Sequence, residues 1–410
     1  MKTLNFFSLF IFLSINIYSQ PIVETGIEVL WDDGYKILKG KKVGLITNPT
    51  GVDSKLKSTI DILFEAKDVQ LAALFGPEHG VRGDFAAGDY VENYTDPQTK
   101  LPVYSLYGKT RKPSKEMLKN IDVLVYDIQD IGCRSYTYIS TMGAAMEAAA
   151  ENNIEFVVLD RPNPLGGLRV EGNLVEKDFI SFVSQFKIPY VYGLTCGELA
   201  KLLNSEGMLA NKVNCKLTVV PMKNWKREMS FEQTGLEWVP TSPHVPHNYS
   251  PFYYVSTGIM GELGVVSEGV GYTLPFQLMG ADWIDASLLA TKMNDLNLEG
   301  VIFRPITFKP FYGRDEKKEL HGVQIHIIDY SKINLMSIQF LFMQINNELY
   351  PDKNIFKLAD ESRLKMFDKV CGSSKVRELF SKNMNYDQIK NLLEKDVQDF
   401  KEMSKKYYMY

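Results

Sequence analysis

The stretch "VLVYDIQDIGCRSYTYISTMGAAMEAAAENNIEFVVLDRPNPLGG" (Val123–Gly167) decides the fold. It opens on the continuous apolar run "VLVYDI" (123–128) and continues into the alanine-rich "YISTMGAAMEAAAENN" (138–153). It closes on a second apolar run, "FVVLD" (156–160). Runs without polar alternation suit strands covered on both faces, and the alanine-rich segment between them suits a helix. The unit is therefore strand–helix–strand, which places the two strands parallel. Working outward, "VGLIT" (43–47), "VQLAALF" (69–75) and "LTVVP" (217–221) repeat the same kind of run. "TCGELAKLLNSEG" (195–207) reads as a further helix, opened by a Thr195…Glu198 capping box and ended at Gly207. The expectation is an α/β chain with a Rossmann-like parallel sheet.

At 410 residues the chain exceeds one ordinary core, so two domains are expected. The pattern changes near the proline-rich "TSPHVPHNYSP" (241–251). Beyond it lie strand-like "VIFRPITF" (301–308) and "GVQIHIIDY" (322–330), then a helical tail from Ile333. The division expected is 20–255 for the Rossmann-like domain and 256–410 for a smaller α/β (α+β) domain closing a cleft. Residues 1–19, "MKTLNFFSLFIFLSINIYS", have a lysine, an apolar run interrupted by Ser8, Ser14 and Asn16, and a small residue at Ser19. That is the layout of a secretory signal rather than a membrane span. No cysteine follows to carry a lipid, so the expected product is exported, periplasmic or secreted, without a stable membrane anchor.

A formal net charge of −4 and the lack of a clustered basic face give no support to nucleic-acid binding. The glycine fingerprints of nucleotide sites are absent from the first strand exit, and so is the GxSxG of serine hydrolases. No nucleotide and no other cofactor is expected. Cys133, Cys196, Cys215 and Cys371 fit no zinc spacing. They are either buried thiols or include a Cys196–Cys215 bridge.

In an open parallel sheet, ligands sit beyond the carboxyl ends of the strands. Four of the five predicted exits carry polar side chains beside glycine or proline. "GPEHGVRGD" (76–84) presents Glu78 and His79, where a carboxyl near a domain interface suits a general acid; the alternative is a turn that these side chains merely tie together. "DIQDIGCRSYTY" offers Asp127, Gln129, Asp130, Arg134, Tyr136 and Tyr138, as a site or as salt bridge and core. "LDRPNPLGG" offers Asp160, Arg161 and Asn163 in a loop stiffened by prolines, for an anionic group or for a salt bridge. Glu268, between glycines in "VVSEGVGYTLPF", reads as a second carboxylate from across the cleft or as a turn cap. His244 and His247 form an HxxH, a weak metal signal away from a helix, and no metal site is expected.

These motifs together resemble a known family. "GLITNPTG", "LFGPEHGVRGDFAAG", "VYDIQDIGCRSYTYISTM", "LDRPNPLGG…VEG", "TSPHVP", "SEGVGYTLPFQLMGA", "FRPITFKP" and "HGVQIHIID" occur in the order seen in the NamZ-type exo-β-N-acetylmuramidases. The resemblance runs from about Thr25 to the C-terminus. It implies release of N-acetylmuramic acid from the non-reducing end of peptidoglycan-derived glycans or muropeptides, in a cleft between the two domains. Glu78 would be the catalytic acid, with Asp130 or Glu268 as base or charge stabiliser. Arg82, Arg134 or Arg161 would pair with the lactyl carboxylate, and His79 and His247 would line the sugar site. The 2-acetamido group is an alternative internal nucleophile. The chain departs from the family pattern at Val270, where arginine is common, at His244, where asparagine is, and at Tyr192, where histidine is. A non-catalytic muropeptide-binding protein and a metal-dependent hydrolase using Asp127, Asp130 and the histidines are the rival readings.

Overall fold

The computed structural model describes residues 22–83 and 92–410. The expected leader, and the part of the Glu78 motif beyond Gly83, lie outside them. The first sheet contains β1 (Lys42–Thr47), β2 (Gln70–Gly76), β3 (Tyr94–Thr95), β4 (Pro102–Ser105), β5 (Val123–Asp127), β6 (Glu155–Leu159) and β7 (Lys216–Val220). Among the described residues its order is β3-β4-β2-β1-β5-β6-β7. Every pairing is parallel except β3 with β4. The order runs one way from β1 through β2 to β4 and the other way from β5 through β6 to β7. The topological switch point, where such sheets open a crevice, therefore lies between β1 and β5.

Helices cover both faces: α1 (Gly26–Asp32) and α2 (Thr59–Glu65) on one, α4 (Tyr138–Glu151) and α5 (Cys196–Ser205) on the other, with the short α3 (Lys115–Leu118) before β5. Thr195 caps α5 as expected: its hydroxyl accepts from Glu198 N while the Glu198 carboxylate accepts from Thr195 N. β5 is buried along its whole length, but β7 alternates. As an edge strand, β7 has one face open to solvent, so a continuously covered run was the wrong picture there.

The second sheet is small and antiparallel, in the order β8 (Leu278–Ala281), β10 (Leu320–Ile327), β9 (Val301–Phe308). α6 (Ser250–Gly261), α7 (Ala286–Asp295) and α8 (Leu335–Leu349) pack with it. The main hydrophobic core is continuous from Ile46 and Phe75 in the first sheet to Val323 and Ile325 in the second. Tyr410 returns to the first sheet: its hydroxyl donates to Asp160 and accepts from Met222 N, and its ring meets Trp225 edge-on. All four cysteines are buried and unbridged. No helix among the described residues is long and apolar enough to cross a membrane.

Candidate active site

β2 ends at Gly76, and the chain reverses at once. Gly80 N–H donates to Pro77 C=O at 3.1 Å, closing a four-residue turn with Glu78 at its tip. His79 (φ 74°) and Gly80 (φ 75°) are both left-handed. Glycine adopts that conformation freely, but histidine does so at a cost of order 1 kcal/mol or more, the kind of strain that collects at functional sites. A side chain at Gly76 would come within 3.3 Å of Gly80 and Val81, so the reversal also needs glycine there. The turn aims Glu78 into a cavity of about 370 Å³.

Three further segments build its walls. Ser135, Tyr136, Thr137 and Tyr138 come from the exit of β5 into α4; Ser242, Pro243, His244 and Val245 come from the proline-rich loop; Tyr254, Glu262 and Phe276 come from α6 and the residues after it. The tyrosines make an aromatic wall. Tyr136 and Tyr138 meet edge-on at 5.0 Å, and Tyr136 meets Tyr254 at 5.7 Å. Thr241 holds both hydroxyls in place, through Oγ1 for Tyr136 and the backbone carbonyl for Tyr138. Burial pushes both phenol pKa values upward, so the wall stays neutral. Burial and the neighbouring His79 lower the pKa of His244, whose Nε2 lies 2.8 Å from the Tyr312 hydroxyl.

Two groups at the cavity escaped the sequence reading. Tyr107 lies beside Glu78; burial first, and the neighbouring Glu78 carboxylate second, push its pKa up to about 12. Glu262 follows α6 and lines the same cavity as Glu78. Burial raises its pKa, Arg363 opposes the rise and Glu268 adds to it. The signal for Glu262 was present in "GELG" (261–264), an acid flanked by glycines.

The other expected site residues lie elsewhere. Asp130 is buried behind the wall. It accepts from Tyr192 and from Gly132 N at 2.7 Å, while its other oxygen has no hydrogen-bond partner among the described residues, and burial drives its pKa up to about 6. Glu268 pairs with Arg314 at 3.0 Å, and burial raises its pKa. Asp127 and Arg161 form a buried ion pair, joined by Thr59 and the Val52 carbonyl. Gln129 donates to the carbonyls of Asp130 and Pro162. Gln129 and Arg161 do border a void, but at about 20 Å³ it holds a water molecule and not a sugar.

Asp160 gathers Gly197 N, Thr195 and Tyr410, and its pKa is driven up to about 6 by burial. Asn163 bonds Leu194 C=O and Leu165 N. Arg82 grips Asp96 and Asp61. Arg134 is fully buried and donates to the carbonyls of Asn173, Ile188, Val370 and Cys371. His247 is exposed and stacks on Tyr249. Among the described residues no three His, Cys, Asp or Glu side chains are grouped to hold a metal ion.

Comparison with known proteins decides the family. The model "Exo-beta-N-acetylmuramidase NamZ, N-terminal" matches residues 43–249, and its C-terminal counterpart matches 252–410. The chain belongs to the NamZ family. It is 47% identical over 391 residues to the peptidoglycan beta-N-acetylmuramidase NamZ of Bacillus subtilis (strain 168), covering 95% of this chain and 92% of that one. Two crystal structures of DUF1343 family proteins from Bacteroides fragilis NCTC 9343 share its fold. One has a TM-score of 0.91 at 60% identity and the other 0.76 at 30%; each match covers 95% of this chain and 99% of the other. The family models meet inside the first turn of α6, a few residues before the division expected at 255/256.

Proposed function

We infer that this chain is an exo-acting glycoside hydrolase that releases N-acetylmuramic acid from the non-reducing end of peptidoglycan fragments. The observation that carries the reading is Glu78, held on a strained turn at a strand exit and aimed into a cavity, in a member of the NamZ family. About 370 Å³ is near the lower end of the roughly 300–1,000 Å³ of ligand pockets, which suits one terminal amino sugar better than a run of them.

Glu78 protonates the glycosidic oxygen as positive charge develops on the anomeric carbon. Tyr107, beside Glu78, helps to hold the acid in place. Glu262 takes the part of second carboxylate for which the sequence offered Asp130 and Glu268: it borders the cavity, and its raised pKa suits a base that activates water. The tyrosine wall excludes bulk water and offers flat faces to the sugar ring. The lysine-led apolar leader supports export to the periplasm or beyond, where peptidoglycan fragments are met.

The test is a time course on a glycan of defined length with N-acetylmuramic acid at its non-reducing end. Release of that one sugar, with the remainder left intact at its new N-acetylglucosamine terminus, is expected. Internal cleavage would overturn the exo assignment, and an unchanged glycan would overturn the hydrolase assignment.

A further inference from the structure

Muramic acid differs from glucosamine by a lactyl ether whose carboxylate is ionised at neutral pH, so selective binding calls for a cation at the cavity. The arginines expected from sequence are all engaged: Arg82 by two aspartates, Arg134 by four carbonyls, Arg161 by Asp127. Arg314 pairs with Glu268 and Asp315, and Arg363 faces Glu262.

Arg111 is different. It is exposed, its guanidinium lies over the Phe182 ring at 4.4 Å, and no acidic side chain of the described residues forms an ion pair with it. Its two neighbours fix its place. On one side is Tyr107, four residues earlier in the chain, which lies beside Glu78 and whose phenol feels the Arg111 charge. On the other is Phe182, whose carbonyl is held by Ser140 at 2.7 Å and whose chain neighbour Val183 is part of the cavity wall. Arg111 thus stands at the rim between the acid and the wall.

We propose that Arg111 reads the lactyl carboxylate of the sugar bound beside Glu78, and so sets the preference for muramic acid over glucosamine. Stacking on Phe182 holds the guanidinium plane and leaves its N–H edge for a two-pronged contact with a carboxylate. This inference rests on the functional reading above and names the recognition element of the same site.

Calorimetric titration with free N-acetylmuramic acid and with its lactyl methyl ester tests it directly, because the ester keeps the shape and removes the charge. Binding is read independently of hydrolysis. A charge-assisted contact predicts that the wild type binds the acid about 10- to 100-fold more tightly than the ester. In Arg111→Ala the two ligands bind alike, and Arg111→Lys restores part of the preference. Arg363→Ala keeps the wild-type ratio. Circular dichroism confirms that each variant is folded.

An undiminished acid-to-ester ratio in folded Arg111→Ala overturns the proposal, as does a wild type with no preference for the acid. Loss of the ratio in Arg363→Ala instead assigns the role to Arg363 and also overturns it. A wild type that binds the acid through Arg111 but hydrolyses no muramic glycoside sinks the hydrolase reading and leaves the recognition element standing.

Discussion

Removing one half of the buried Asp127–Arg161 pair should be costly, and removing both halves much less so. Asp127 is fully buried and Arg161 is 5% exposed. The guanidinium makes two bonds to the carboxylate, at 2.5 and 3.0 Å, and a third at 2.7 Å to Val52 C=O, while Thr59 donates to the same carboxylate. The pair therefore ties the exits of β1, β5 and β6 to the start of α2. Asp127→Ala leaves a guanidinium in a site with no counter-charge, a loss of about 3–5 kcal/mol. With a denaturant slope of roughly 3 kcal/mol per molar urea, the unfolding midpoint falls by about 1–1.7 M. Asp127→Ala combined with Arg161→Met removes both charges and recovers most of that loss, so the double-mutant cycle is strongly non-additive. Urea unfolding of the four proteins gives the numbers. A single-variant cost below about 1 kcal/mol, or an additive cycle, would refute the buried-pair argument. The folded double variant also separates support from substrate contact: its KM for a muramic glycoside should match the wild type, and a large rise would place these two residues against the sugar.

Three shorter predictions follow from the same geometry. Asp160 has its pKa raised to about 6 by burial, so its protonated form favours the fold; that contribution is present below the unfolded pKa and is lost as pH rises through about 6. The stability of wild type relative to Asp160→Asn should therefore fall by about 2 kcal/mol between pH 4 and pH 6.5, and a pH-independent difference argues that Asp160 is not titrating there. A methyl group on Gly143 would lie 2.2 Å from the Phe186 ring, so Gly143→Ala should cost about 1–3 kcal/mol in thermal unfolding, partly relieved by Phe186→Leu. Glu262→Gln should lower kcat by about 100-fold or more with little change in KM; an unaltered kcat removes Glu262 from the chemistry.

Much of the framework was legible because burial on both faces leaves a plain mark. "VLVYDI" and "FVVLD" became β5 and β6, and the Thr195 capping box formed as written. β8 was not legible: it is four residues long, contains Gly280, and exists because β10 pairs with it. Glu78 stood out for a local reason, an acid among glycines where a strand must end. The arginines did not sort themselves, since nothing in "CRSY" or "DRPN" says that Arg134 is enclosed by carbonyls or that Arg161 is neutralised by Asp127. Engagement of a side chain is a tertiary fact. The same holds for Tyr107 and Glu262, which reach the cavity only when the loop after β4 and the end of α6 fold toward the β2 exit.

The central claim is that Glu78 is the acid of a muramic-selective glycosidase. It is tested most directly by sugar release from the β-1,4 disaccharide of N-acetylmuramic acid on N-acetylglucosamine, whose alkoxide leaving group needs a proton, comparing wild type with Glu78→Gln and using the N-acetylglucosamine-only disaccharide as control. The account predicts release from the muramic glycoside, little from the control, and a fall of at least about 100-fold in a folded Glu78→Gln. A folded Glu78→Gln that keeps wild-type turnover would contradict it.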